Sequence, residues 1–186
     1  MRQDGHLSES GMACLATLRG QVLRAYGSET PGVDAGVAVE SVYIETGEVV
    51  LTLRTVYAPA DVCGEVGDVV HLEVSNDAPD RSIAEAEGGV HVHRTGEVVR
   101  AVKIHRATLE HHLDGAESRR FEYDAAVEVV LETGSFVLVV AEIAIPLIEW
   151  MVVDHGRELE LPDPAAGWPS TAHSRWTSSW THAEVR

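Results

Sequence analysis

Three segments of this chain share one local signature, a threonine followed by a glycine between apolar, β-branched runs. They read ETGEVV at 45–50, RTGEVV at 94–99 and ETGSFV at 132–137. Glycine favours the tight loop of a β-hairpin, and β-branched residues favour the strands on either side. The chain is therefore predicted to be mainly β, built from hairpins as an antiparallel β-sandwich or an open barrel.

The Thr-Gly step also selects a loop length. A two-residue loop would place each threonine at a positive φ, which a β-branched residue resists. A three-residue loop needs only the glycine in the left-handed region. This loop predicts three cross-strand pairs, namely Ile44 with Glu48, His93 with Glu97, and Leu131 with Ser135.

In the third hairpin this register aligns one apolar face. Its predicted members are Phe121, Tyr123, Val127, Val129, Leu131, Val137, Val139, Ile143 and Ile145. A slip of one residue would turn every side chain to the opposite face, so the alignment supports the register. The second hairpin has an alternative, because residues 97–113 also fit a helix that Thr95 would cap and Gly115 would end.

One N-terminal α-helix is predicted over residues 8–26, packed on the sheet. Apolar residues recur there at the three- and four-residue intervals of one helical face: Met12, Leu15, Leu18 and Val22. We expect residues 1–186 to form a single domain, with a β core over 37–161 and a tryptophan-rich tail over 162–186.

The charge of the chain points to a class of partner. The chain has thirty acidic and fourteen basic residues, which gives a net charge of −16. Such a field repels phosphate backbones and attracts basic surfaces, so we expect no nucleic-acid partner and favour a basic protein. Residues 94–120 depart from the trend with six bases against four acids. Arg100, Lys103 and Arg106 are the predicted anion-binding residues of this basic island.

A metal site is the sharpest chemical candidate. His91 and His93 would share one strand face, and Glu97 would lie across the predicted hairpin from His93. Two imidazoles and a carboxylate are a suitable ligand set for Zn, Fe or Mn. The spacing HxHxxxE after Gly88 and Gly89 resembles the first half of the cupin signature, which implies a metal-dependent enzyme. The alternative is that these residues form the solvated face of an ordinary strand.

The C-terminal tail holds three of the four tryptophans, Trp168, Trp176 and Trp180. Tryptophan is enriched in binding hot spots, so these three are the predicted partner-binding residues. Trp176 and Trp180 lie four positions apart and would share a helical face. The alternative is a tail that folds back onto the protein's own sheet.

Taken together, these features predict a noncatalytic acidic binding protein. It would mask a basic partner, as an inhibitor or immunity protein does, or act as an assembly subunit. The alternatives are a cupin-like metal-dependent enzyme that uses His91, His93 and Glu97, and a β-barrel that binds a small ligand. No cofactor is expected, except a divalent metal in the cupin-like case. The chain lacks an apolar leader and any run near the roughly 18 apolar residues of a membrane helix, so we expect a cytoplasmic protein without membrane contact.

Overall fold

The computed structural model describes residues 2–28, 41–62, 65–76, 91–144, 148–156, 159–166 and 170–186. Within them, the backbone alone is described for 2–4, 57–62, 65–71, 91–92, 141–144 and 148–155.

One helix and ten strands follow one another along the described residues. They are β1 (Arg2–Gly5), α1 (Glu9–Ala16), β2 (Val22–Ser28), β3 (Ser41–Thr46), β4 (Val50–Val62), β5 (Glu65–Ser75), β6 (His91–Leu113), β7 (Ala116–Leu131), β8 (Phe136–Ala144), β9 (Ile148–Gly156) and β10 (Ser174–Glu184).

The sheet is arranged around β6, a strand of 23 residues. Its first part pairs with β2, and its remainder lies between β7 on one side and β10 on the other. The strand order is β5-β4-β3-β2-β6-β7-β8-β9, and every described pair is antiparallel except β1 with β7. The prediction of a mainly β, antiparallel fold with one helix is confirmed.

The third predicted hairpin is confirmed together with its register. The backbone N–H of Leu131 donates to the carbonyl oxygen of Ser135 at 2.8 Å, and Val130 pairs with Phe136. Gly134 has a φ of 83°, the left-handed conformation that a three-residue loop requires.

The first predicted hairpin exists, but its register is wrong. Ile44 pairs with Leu51 instead of Glu48, and the N–H of Thr46 donates to the carbonyl of Val49 at 2.9 Å. The Thr46 hydroxyl accepts the N–H groups of Glu48 and Val49, at 3.3 and 3.1 Å. This side chain closes the loop, so the chain turns without a left-handed glycine.

The second predicted hairpin is wrong, although the preference for strand over helix at 97–113 is confirmed. β6 continues as one strand through Thr95 and Gly96. Gly96 has a φ of 82° and lies where β6 carries an extra residue, because Leu23 pairs with Glu97 but Ala25 pairs with Arg94. A left-handed glycine serves a β-bulge as well as a hairpin loop, and the sequence does not separate the two.

The predicted N-terminal helix over 8–26 is wrong in its second half. α1 begins after Ser8, whose hydroxyl accepts the N–H of Gly11 at 3.1 Å, and it ends at Ala16. Gly20, with a φ of 78°, separates it from β2, where pairing with β3 and β6 overrides the helical period. Among the described residues, no helix has the length and apolarity needed to cross a membrane.

The predicted boundaries of the β core, 37–161, are also too narrow. β1 and β2 precede it, and β10 lies in the segment assigned to a tail. The helix does pack on the sheet as expected. Leu15 is fully buried in the main core, and Met12 packs against that core from α1.

A bulge in β7 divides the predicted apolar face between two cores. His105 of β6 pairs with Ala126, but Arg106 pairs with Asp124, so Ala125 is an extra residue. An extra residue reverses which side chains face which side of the sheet. Five predicted members therefore belong to the main core, which they share with β2–β6: Val127, Val129, Leu131, Val137 and Val139.

Beyond that bulge, Phe121 and Tyr123 lie in a separate cluster on the opposite face, with Ala107 and Leu109. Their predicted place in one continuous face is therefore wrong. Ile145 lies outside the described residues, as does the side chain of Ile143.

Val137→Asp should lower the free energy of unfolding by about 3 kcal/mol or more, because Val137 is fully buried and the carboxylate would have no partner. Val22 is 43% exposed and is the matched control, since Val22→Asp places the same charge in water. Denaturant melts of the two variants measure the difference. Equal melts for both would contradict the core assignment.

Candidate functional site

The tail is part of the sheet. β10 pairs with β6 at eleven consecutive positions, from Ser174 opposite Leu113 to Glu184 opposite Lys103. Side chains alternate along a strand, so Trp176 and Trp180 project from the same face of β10. They share a face as predicted, but it is the face of a strand and not of a helix.

Both described tryptophans of the tail contact the protein itself. Trp176 is 7% exposed, and its ring lies 4.8 Å from that of His111 and 6.0 Å from that of Phe121, centre to centre. Trp180 is half-buried, and its Nε1 donates to the carbonyl oxygen of Pro162 at 2.9 Å. Trp168 lies outside the described residues. The alternative of a tail that packs on its own sheet is confirmed for Trp176.

A groove of about 500 Å³ lies between β10 and the segment 161–165. The six consecutive residues 175–180 line its β10 side. Segment 161–165 contacts β10 through side chains of one strand face, since Trp180 bonds to the Pro162 carbonyl and Ser178 bonds to Asp163.

Asp163 supplies a fixed negative charge at this groove. Its Oδ1 accepts the Ala165 N–H at 2.9 Å and also the hydroxyl of Ser178. The hydrogen bond from Ser178, followed by that from the Ala165 backbone, holds the pKa of the Asp163 carboxyl below its usual range. This carboxylate is therefore ionised at neutral pH. Nothing in the sequence signals the contact between Asp163 and Ser178, which lie fifteen residues apart.

His111 ties β10 to the β6–β7 hairpin. Its Nε2 lies 2.7 Å from the Ser174 hydroxyl and its Nδ1 lies 2.6 Å from that of Ser118. The Ser118 hydroxyl donates to the His111 carbonyl at 3.1 Å, so its oxygen accepts from Nδ1–H, and Nε2 accepts from Ser174. The ring is 5% exposed. Burial, with the nearby charges of Arg119 and His112, lowers the pKa of His111.

Lys103 of the predicted anion site contacts a buried carboxylate. Its Nζ lies 3.0 and 3.2 Å from the two oxygens of Glu128, and His105 Nε2 lies 2.8 Å from the second oxygen. Burial raises the pKa of Glu128, but the hydrogen bonds from His105 and Lys103 outweigh it, and the net pKa is lowered. Lys103 is thus neutralised within the chain.

The structure does not bring the three predicted anion ligands together. Arg106 Nε donates to Asp124 at 2.8 Å, and Arg100 is exposed. Lys103 and Arg106 are three positions apart on a strand whose pairing with β10 is unbroken, so they lie on opposite faces of the sheet.

The hairpin that was predicted to place Glu97 opposite His93 does not form, because both residues lie in the single strand β6. The ring of His93 stacks on Tyr26 at 5.1 Å, whereas the Glu97 carboxylate accepts the hydroxyl of Thr133. The side chain of His91 is outside the described part of the chain. Among side chains that are described, no group of three or more His, Cys, Asp or Glu residues could hold a metal ion. The metal site stays a prediction.

Comparisons with known proteins give this site no precedent. Protein families, curated proteins and solved structures were searched, and none of the three searches found a match to this chain. Its function is therefore argued from its own residues.

Trp176→Ala should lower the free energy of unfolding by about 3–5 kcal/mol, because it empties a site packed against Phe121 and His111. The control Thr181→Ala changes an exposed residue of the same strand and should be nearly neutral. Thermal and denaturant melts measure both changes. An unchanged melt for Trp176→Ala would show that the tail is not docked on the sheet.

His111 should make stability fall in mild acid. In the folded protein the pKa of His111 is lowered below the usual 6.5, so its contribution to stability is complete above about pH 6.5. The contribution is lost as pH falls through the lowered pKa, since the unfolded chain takes up the proton more readily. The drop in melting temperature from pH 7.5 to about 5 should be smaller in His111→Gln than in wild type. His182→Gln, which removes an exposed imidazole, is the control. Equal pH profiles for His111→Gln and wild type would rule out the buried neutral ring.

Proposed function

We propose that this protein is a noncatalytic acidic binding protein that masks a basic protein partner in the cytoplasm. It would act as an inhibitor or immunity-type protein, or as a subunit that covers a basic surface during assembly. The observation that carries the proposal is a net charge of −16, together with ion pairs inside the sheet at three of the six bases of the basic island.

Three of the six bases of residues 94–120 pair with carboxylates of the same sheet. Lys103 contacts Glu128, and Arg106 contacts Asp124. Arg120 lies on the same hairpin, with an NH1 donor 2.9 Å from Glu110. Two of the three acceptors, Glu128 and Asp124, are nearly inaccessible to solvent. Half of the bases in this island are therefore held in ion pairs within the sheet.

Carboxylates remain exposed on several parts of the surface. They include Glu9, Glu117, Glu132 and Glu160. A surface with one dominant sign accelerates encounter with an oppositely charged partner and repels like-charged ones. Screening by salt acts on such exposed charges within about 10 Å at 0.1 M ionic strength. The cupin-like and small-ligand alternatives find no supporting contact among the described side chains.

A variant with four substitutions, called the quadruple variant, tests the role of charge. Glu9→Gln, Glu117→Gln, Glu132→Gln and Glu160→Gln together change the net charge from −16 to −12. Association with a basic partner isolated from the native host should slow, by about tenfold or less at low salt, while dissociation changes little. Stopped-flow or surface-based kinetics over a salt series measures both rates.

The matched control changes charge in the other direction. Arg100→Gln removes an exposed base and takes the chain to −17, so it should not slow association. The electrostatic basis of the proposal would be refuted by a partner that associates equally fast with wild type and the quadruple variant at every salt concentration.

A further inference from the structure

We propose that a second cavity, where the β6–β7 turn meets the start of β10, binds the phosphate group of a small anion. The cavity has a volume of about 370 Å³. It is lined by three basic side chains and no acidic one, although acids outnumber bases thirty to fourteen in the chain. The basic residues are His112, His173 and Arg175, and Gly115, Ser174 and Thr177 lie beside them. The inference goes beyond the proposed function and does not depend on it.

Arg175 supplies the permanent positive charge. It lies on β10 directly opposite His112 of β6, so the two side chains share one face of the sheet. Arg175 is exposed, and among the described residues its guanidinium forms no hydrogen bond or ion pair. The planar N–H donors of such a group match two oxygens of a phosphate. Lys103 and Arg106, in contrast, already pair with carboxylates.

The two histidines have ring nitrogens available to an anion. Nδ1 of His173 lies 2.9 Å from Oδ1 of Asp114, and this nitrogen carries a proton because a carboxylate accepts hydrogen bonds. Within the described part of the chain, Nε2 of His173 has no partner. Nε2 of His112 lies 3.3 Å from the Thr177 hydroxyl, which leaves its Nδ1 for a ligand. A protonated imidazole donates from both nitrogens, so each ring can bind an oxyanion in that form.

Neighbouring acids do not cancel the charge of Arg175. Glu110 lies 3.7 Å from His112, but it also binds Arg120 at 2.9 Å. Glu117 lies opposite His112 on β7, whereas Arg175 lies opposite it on β10. His112 therefore separates the carboxylate of Glu117 from the guanidinium, and the free cation lies at the cavity.

Local hydrogen bonds hold the walls of the cavity in place. The Thr171 hydroxyl accepts the N–H groups of His173 and Ser174, at 3.3 and 3.1 Å, and the Thr171 N–H donates to the Ser174 carbonyl at 2.6 Å. The Asp114 N–H donates to the His173 carbonyl at 2.8 Å, which joins this loop to the β6–β7 turn. A site that is already formed requires less ordering when a ligand binds.

Size and charge favour a small phosphate over a polyanion. The cavity lies near the lower end of the range of small-molecule sites. A net charge of −16 repels large anions, but screening within about 10 Å at 0.1 M ionic strength lets a small one reach Arg175. One permanent cation and two imidazoles that can gain protons match a dianion better than a monovalent carboxylate. Free phosphate and a phosphate monoester share this chemistry.

The first test is a titration of the intact protein at constant ionic strength, followed by calorimetry and by NMR of the backbone amides. The probes are inorganic phosphate, methyl phosphate and acetate. Inorganic phosphate should bind saturably and shift the amides of 112–115 and 173–177, and acetate should bind about fivefold more weakly or less. Methyl phosphate separates the two sources. Equal or tighter binding of methyl phosphate assigns the site to a monoester, and weaker binding assigns it to free phosphate.

Arg175→Gln should weaken phosphate binding by about fivefold, because it removes one charge-assisted contact at an exposed site. Arg100→Gln removes an equal charge from an exposed position outside the cavity lining and is the matched control. Both variants should melt as wild type does, since both positions are exposed. Equal weakening by the two variants would overturn the site, because phosphate would then respond to net charge alone.

A pH series tests the histidines. The probe is sulfate, which stays a dianion in mild acid, so a change in its affinity reports the protein. Because imidazole gains a proton between about pH 8 and 6, sulfate should bind more tightly at the lower pH. His112→Gln/His173→Gln should lose most of this difference, and His182→Gln, at an exposed position outside the lining, should keep it. A pH dependence that survives the double variant would overturn the inference, as would failure of wild type to bind phosphate or sulfate saturably.

Discussion

The pairing of β6 with β7 is the constraint on which the rest of this structure depends. Its register assigns every side chain of the two longest strands to one face of the sheet or the other. The extra residue at Ala125 then exchanges the faces for the part of β7 before it, so Val127 enters the main core while Tyr123 enters the cluster beneath β10. Without that bulge the cluster would have no aromatic members from β7, and Trp176 would lose its contact with Phe121.

The same register explains how an acidic protein accommodates a basic stretch in its longest strand. Glu128 and Asp124 are nearly buried on opposite faces, and β6 supplies the opposing charges, Lys103 to the first and Arg106 to the second. A buried carboxylate without such a partner would cost several kcal/mol. Each ion pair joins residues that this alignment brings together, so these charges favour this register over its neighbours.

The docked tail is part of the sheet. The buried Trp176 and the hydrogen bond between His111 and Ser174 hold β10 against β6. Under the proposed function, the long-range charge of the protein would set how fast a basic partner associates.

The sequence by itself determined the mainly β class, the strand character of 97–113, the third hairpin with its register, and the excess of negative charge. These follow from local chemistry, because β-branched alternation and a Thr-Gly loop act over a few residues. Only the tertiary structure decided that the glycine at 96 forms a bulge instead of a hairpin, that helix ends at Ala16, and that the tail is a strand. It also brought Asp163 to Ser178 and His111 to Ser174, which lie 15 and 63 residues apart. A left-handed glycine or a period of apolar residues satisfies more than one local structure, and pairing between distant strands selects among them.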